Sequence, residues 1–339
     1  MSFWLKFGIR LPNSGPFSNP SNLVRIAVRA EELGYDSVWV HDHIVWSTEL
    51  HRGHVSAGSA SAIRLEQEPN FYESLMTLAY VASITKRVQL GIAVLVLPLR
   101  NPLVVAKQTS TLDVLSGGRL ILGVSPGSPK VAGNEFKALQ LPFEDRGERT
   151  DEYIEVLKLI WTHDLAHFSG KFVKFEDVQI FPKPTSRPHP PIWIGGPEKV
   201  LPKKARAIVR TALHGDGWIP AYMTPEEMAL GAEQIRSLAK AHGRNSEAIT
   251  MANELFANID KNTETARKNA SQTLLKSFSS MTEAVQRSLT GTPEDLVQRI
   301  KDYEEVATEH IELKFIYSSL DDLFRMMELF ATDVLEKFH

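Results

Sequence analysis

Eight short apolar runs punctuate the chain, and each is followed by material with helical spacing. The runs cover residues 6–11, 37–40, 88–94, 120–123, 192–194, 217–219, 249–257 and 311–316. This rhythm restricts the fold more than any other feature, because parallel strands need a crossover between them and a helix is the usual one. Residues 88–94, Val-Gln-Leu-Gly-Ile-Ala-Val, are almost continuously apolar, as a parallel strand buried on both faces requires. The helical stretches carry their own punctuation. Residues 22–33 run into Gly34, and residues 103–115 into Ser116-Gly117-Gly118, both natural C-terminal stops. Thr224-Pro225 and Thr292-Pro293 each place a capping hydroxyl ahead of a proline at a helix start. Eight strand–helix pairs are the count of a closed (β/α)8 TIM barrel. An open doubly wound sheet is the competing architecture. It lacks the Gly-x-Gly-x-x-Gly turn after the first strand, where Leu11-Pro-Asn-Ser-Gly-Pro16 stands instead.

The 339 residues fit one such domain, 1–339, with insertions near residues 41–70, 125–145, 164–190 and 258–290. Residues 164–190 read as a small hairpin followed by a proline-rich tether, after which the alternation resumes. A net charge of -3, from 38 basic and 41 acidic residues, gives no electrostatic case for nucleic acid or an anionic membrane. The absence of cysteine excludes disulfides, thiolate catalysis and thiolate metal sites. The first ten residues lack the basic and apolar regions of a secretory signal, and no apolar run approaches the ~20 residues of a membrane span. A cytoplasmic protein is the expectation.

Barrel enzymes carry their chemistry where strands end and loops toward helices begin. The second strand ends in His41-Asp42-His43, ahead of an aperiodic stretch to residue 70. A histidine that titrates near neutrality and is oriented by a carboxylate suits general acid/base work; the alternative is a surface cluster with no role. The rim position favours chemistry. Strand alternation gives His41 and His43 one direction and Asp42 the other. No second His/carboxylate pair stands at ligand spacing, so no metal site is expected. Ala93 and Val94, after the third strand, read on pattern alone as buried strand. Gly123-Val-Ser-Pro-Gly-Ser-Pro129 is either a flexible turn or a place where backbone amides approach an anion or a ring closely. Gly195-Gly196-Pro197 stands directly before what reads as a helix over residues 198–213. Free amides there would favour a phosphate, although Glu198 counts against one. Trp218 reads as core.

Together these segments resemble the luciferase-like monooxygenase superfamily, which comprises FMN-dependent and coenzyme F420-dependent barrel enzymes. The resemblance covers nearly the whole chain. It rests on Gly34-Tyr-Asp-Ser-Val-Trp-Val-His-Asp-His43, Leu90-Gly-Ile-Ala-Val94 and Asn101-Pro-Leu-Val-Val-Ala-Lys-Gln-Thr109. It continues through residues 112–124, Phe181-Pro-Lys-Pro184, Pro190-Pro-Ile-Trp-Ile-Gly-Gly196 and Gly215-Asp-Gly-Trp218. Asp42-His43 is similar to the F420-using branch. The resemblance implies that Asp42 contacts the deazaflavin, that His43 is the catalytic proton donor or acceptor, and that Trp46 stacks near the cofactor. It further implies that Ala93-Val94 is a strained peptide under the ring, a candidate for the cis form. Gly127 and Ser128 would lie along the cofactor, with Gly195, Gly196 and Pro197 at its phosphate. Some F420 dehydrogenases carry a catalytic Glu after the fourth strand. Ser128 stands there in this chain, which counts against a sugar-phosphate dehydrogenase.

The implied activity is F420-dependent hydride transfer to or from a small organic substrate. An FMNH2-dependent monooxygenase using O2 is the first rival, and a non-catalytic flavin-binding barrel the second. A homodimer, and a flavin or F420 reductase as partner, are further expectations of the resemblance.

Overall fold

The apolar runs become parallel strands because both of their faces are buried. The computed structural model describes residues 4–45, 70–198 and 205–339. Its strands are β1 (Lys6–Arg10), β2 (Ser37–Val40), β3 (Gln89–Val96), β4 (Leu120–Ser125), β5 (Ala166–Ser169), β6 (Lys174–Val178), β7 (Ile192–Glu198), β8 (Gly217–Ala221), β9 (Thr250–Ile259), β10 (Ser288–Gly291) and β11 (His310–Phe315). Eight of them close a parallel barrel in the order β1-β2-β3-β4-β7-β8-β9-β11, with β11 pairing back onto β1. The helices are α1 (Pro20–Glu32), α2 (Ser74–Ile84), α3 (Pro102–Ser116), α4 (Pro129–Ala138), α5 (Arg146–Thr162), α6 (Arg206–His214), α7 (Pro225–Ala241), α8 (Thr263–Ser277), α9 (Met281–Gln286), α10 (Pro293–Glu305) and α11 (Leu320–Asp333). The sequence punctuation acts as expected. Thr224 and Thr292 form capping boxes with Glu227 and Asp295, and Gly117 takes the left-handed conformation (φ 74) that ends α3. No helix among the described residues is long and apolar enough to cross a membrane.

The outward face of each strand, such as Phe7 and Ile9 on β1 or Leu90 and Ile92 on β3, packs into the core shared with the helices. The inward face is filled differently. Trp39 and Trp193 meet on the barrel axis with ring centroids 5.4 Å apart, alongside Ile121, Ile219 and Ala252. Glycines on the neighbouring strands make room for them. A Cβ on Gly91 would lie 2.1 Å from the Trp39 ring, and one on Gly217 would lie 2.5 Å from Trp193. His310 stands edge-on to both tryptophans, at 5.5 and 5.3 Å, and bonds the Ser37 hydroxyl at 2.9 Å. Burial drives its imidazole down from 6.5 to about 3, so it is neutral.

Three stretches differ from the sequence reading. Residues 125–145 hold α4, signalled by Ser128-Pro129 at its cap and first turn; Ala132 and Phe136 bury it against Val96 and Leu99. The stretch 258–290 holds α8, α9 and an extra short parallel strand, β10, laid along the end of β9. The hairpin β5–β6 forms as expected. The helix read from residue 198 begins, within the described residues, at Arg206, while β7 runs on through Glu198.

Candidate active site

The three residues that leave β2 fan out to three different partners. His41 turns toward β1. Its Nδ1 lies 2.9 Å from Arg10 Nη1 and its Nε2 lies 2.8 Å from Ser14 Oγ. A guanidinium only donates, so Nδ1 accepts, and Nε2 carries the proton that Ser14 receives. That fixes one neutral tautomer and makes His41 a bracket for the β1 end. Asp42 turns toward β3 and is buried. Its oxygens accept from Ser74 Oγ at 2.9 Å, from the Val96 amide at 3.1 Å and from both Arg100 terminal nitrogens at 2.7 Å. Four donors fill a carboxylate, so Asp42 has little left to offer another group through its side chain.

His43 turns toward α4, where Glu135 is fully buried. Its Nδ1 lies 2.7 Å from Glu135 Oε2, while Oε1 accepts from the amides of Ile44 and Val45 at 2.7 and 3.1 Å. Glu135 therefore holds the chain after His43 and the ring at once. Accepting from Nδ1–H leaves the lone pair of the neutral ring on Nε2. The Phe71 ring stands edge-on to His43 at 5.3 Å. The loop after β4 does bring an acid to this histidine, from a helix rather than from the turn at Ser128. Trp46 lies outside the described residues.

β2 pairs with β3 through Val40 and Ile92, so the chain leaves β2 alongside the point where the β3–β4 register shifts, between Ile92 and Leu95. The Ala93–Val94 peptide at that bulge is cis. Val94 is seated over two glycines: a Cβ on Gly195 would fall 2.8 Å from its side chain, and one on Gly123 would fall 3.1 Å from it and 2.1 Å from the Ile92 carbonyl. Gly127 (φ 80) turns the chain into α4, with Ser128 as the residue before its first turn. Gly196 (φ 86) has nothing among the described residues within 4 Å of where a Cβ would stand, and its carbonyl accepts from Trp218 Nε1 at 2.8 Å. The Gly196–Pro197 bond is cis. These glycines stand within a strand, so the expected helix start directly behind them is corrected: the chain remains extended to Glu198.

The other side of the mouth carries a charged set that motif reading missed. Glu254 on β9 and Glu312 on β11 stand opposite each other in register. Arg10 bridges them, from Nε to Glu312 at 2.5 Å and from Nη2 to Glu254 at 2.7 Å, and reaches the Ala93 carbonyl at 3.4 Å. Lys314 approaches Glu254 at 3.5 Å and the Tyr222 hydroxyl at 3.2 Å. Burial works against the Glu254 charge, but Arg10, Lys314 and the Tyr222 hydroxyl together outweigh it and hold Glu254 below the usual carboxylate range. Burial, with the Glu254 charge beside it, pushes Glu312 up to about 7 against the pull of Arg10. Its Oε2 is buried and has no hydrogen-bond partner among the described residues. A charged residue inside a strand expected to be buried was the available signal for Arg10, Glu254, Glu312 and Lys314. Among the described residues no cluster of three or more His, Asp or Glu could hold a metal.

The family model described as luciferase-like monooxygenase matches residues 1–310. An F420-dependent glucose-6-phosphate dehydrogenase from Amycolatopsis mediterranei is 29% identical, with 94% of each chain covered. An FMNH2-dependent dimethylsulfone monooxygenase from Pseudomonas putida is 27% identical over 78% of each chain. The crystal structure of monooxygenase RslO1 from Streptomyces bottropensis superposes with a TM-score of 0.78 at 23% identity, covering 99% of this chain and 100% of its own, a likeness of fold.

Proposed function

The chain belongs to the luciferase-like monooxygenase family, and on that premise we propose that it is an oxidoreductase moving a hydride between coenzyme F420 and a small organic substrate. The observation that carries this reading is His43 locked to buried Glu135 at the rim where β2 runs past the Ala93–Val94 bulge. The bulge and its glycines fit a flat ring. Val94 sinks over Gly123 and Gly195, and among the described residues nothing crowds the side of Gly196 where a Cβ would stand. Ala93 and Val94 would lie under the ring, Gly127 and Ser128 along the cofactor, and Gly195, Gly196 and Pro197 at its phosphate. Asp42 serves the same end indirectly, by fixing the Val96 amide and hence the bulge.

The deazaflavin, when bound, accepts or supplies the hydride. The chain handles the proton. As a substrate carbinol carbon gives up its hydride, His43 Nε2 takes the hydroxyl proton, and in the reverse direction it returns that proton to the carbonyl oxygen. Glu135 keeps Nδ1–H pointed away from the substrate and stabilises the imidazolium that forms. His43→Gln should lower turnover by at least about a hundredfold while F420 still binds. Unchanged turnover in that variant would remove the histidine from the reaction.

Reduced FMN with O2 is the second reading, supported by the identity to the Pseudomonas enzyme; a flavin reductase would then be the partner. F420 is preferred because the relative bearing that name aligns over 94% of both chains, against 78%. We assign a homodimer to the exposed apolar face of Met76 and Tyr80 on α2 and Val104 on α3.

A further inference from the structure

Beside the Arg10 bridge opens a cavity of about 280 Å³, between the turn after β1, the end of β11 and α8. Small-molecule pockets span roughly 300–1,000 Å³, so this one takes a small body of one or two rings. Its composition is lopsided. Three cations line it, Arg10 and Lys314 at the floor and Lys276 at the rim, and among the described residues its lining holds no carboxylate. Aromatic rings form part of its walls. Phe17 and Tyr317 stand with ring centroids 5.0 Å apart on one side. Phe256 forms another wall, with the Lys314 ammonium 5.1 Å from its ring centroid. The floor touches the proposed ring site directly, since Arg10 donates to the Ala93 carbonyl.

We propose that this cavity is the substrate pocket and that it selects small aromatic compounds bearing a carboxylate, with the ring among Phe17, Phe256 and Tyr317 and the anion toward Lys276. The physical grounds are simple. The aromatic part of the wall rewards a ring more than a polyhydroxylated sugar, for whose hydroxyls only a few side chains such as Ser14, Gln272 and Thr273 are at hand. The Lys276 ammonium, which lines the cavity and makes no ion pair among the described residues, rewards an anion through a charge-assisted hydrogen bond. Glu254 and Glu312 take up Arg10, and Glu254 also pairs with Lys314 at 3.5 Å, which leaves Lys276 to meet the anion. The near-neutral titration of Glu312 adds to this, because a protonated Glu312 leaves the floor net positive. The assignment as substrate pocket rests on the F420 reading; the binding preference does not.

The test is calorimetric titration of the full chain, without cofactor, using phenylacetate, 2-phenylethanol and glucose 6-phosphate as probes. Phenylacetate should bind at least about tenfold more tightly than 2-phenylethanol, the value of one charge-assisted contact. Lys276→Gln, on an exposed position, should erase most of that preference and leave 2-phenylethanol unchanged. Phe17→Ala should weaken both aromatic probes to a similar degree. Equal affinity for the acid and the alcohol, or a preference untouched by Lys276→Gln, would overturn the proposal. So would binding of glucose 6-phosphate as tight as that of phenylacetate. Because no cofactor is present, failure here leaves the F420 reading standing. A chain that binds phenylacetate but not F420 would sink that reading and keep the cavity.

Discussion

His310 and Glu312 sit on the same inward face of β11, both fully buried, and burial moves them in opposite directions. His310 lies in the lower layer of the barrel, between Trp39 and Trp193, with Ser37 as its hydrogen-bond partner. It is pressed down to about 3 and is simply neutral. Glu312 lies in the layer above, against Arg10 and opposite Glu254, and is lifted to about 7. The lesson is that burial alone silences a titratable group, whereas burial beside a countercharge leaves it poised. The lower layer is a plug that stabilises the barrel. The upper layer is a set of charges kept responsive at the mouth, where barrel chemistry takes place.

The most severe way to break this contrast is Arg10→Met. It leaves two buried carboxylates facing each other and should cost about 3–5 kcal/mol by urea unfolding at pH 8. The loss should shrink at pH 5.5, where Glu312 takes a proton; an equal loss at both values would mean that the pair does not share one charge. Gly91→Ala probes the plug instead. Its Cβ would strike the Trp39 ring, so a loss of about 1–3 kcal/mol and an altered near-ultraviolet tryptophan signal are expected. No change in either would mean that the two tryptophans are loosely held.

A gentler test uses pH itself. The unfolded chain protonates His310 below 6.5 and the folded chain only below about 3, so acid erodes stability across that window. Glu312 does the opposite: the folded chain keeps its proton up to about 7 and the unfolded chain loses it at 4.5, so rising pH erodes stability there. Between 4.5 and 6.5 the two slopes cancel. Glu312→Gln should unmask the histidine slope in that range, about 1.4 kcal/mol per pH unit. His310→Gln should unmask the reverse slope. If neither variant changes the pH profile relative to the parent chain, the two layers do not differ as described.

The barrel was legible because its determinants are local. All eight of its strands stand where the apolar runs are, and Thr224, Thr292 and Gly117 cap helices as their residue types require. The charged layer was not legible, because its members meet only through closure: Arg10 and Glu312 are 302 residues apart in sequence. Alternation along a strand says which residues face inward but not which strands become neighbours. His41-Asp42-His43 was visible as a cluster, yet its division of labour depends on Arg10, Arg100 and Glu135, one from each of three distant elements. Gly91 and Gly217 look like weak points in their strands until the tryptophan rings that need the space are seen. α4 was hidden by its short, polar, glycine-containing sequence, and only Ser128-Pro129 marked its start.

The F420 assignment is tested most directly by absorbance titration of the purified chain with F420 and, in parallel, with FMN. Saturable F420 binding, retained in His43→Gln while turnover collapses, with no comparable FMN binding, is the expected result. Tight FMN binding with no F420 binding would contradict it.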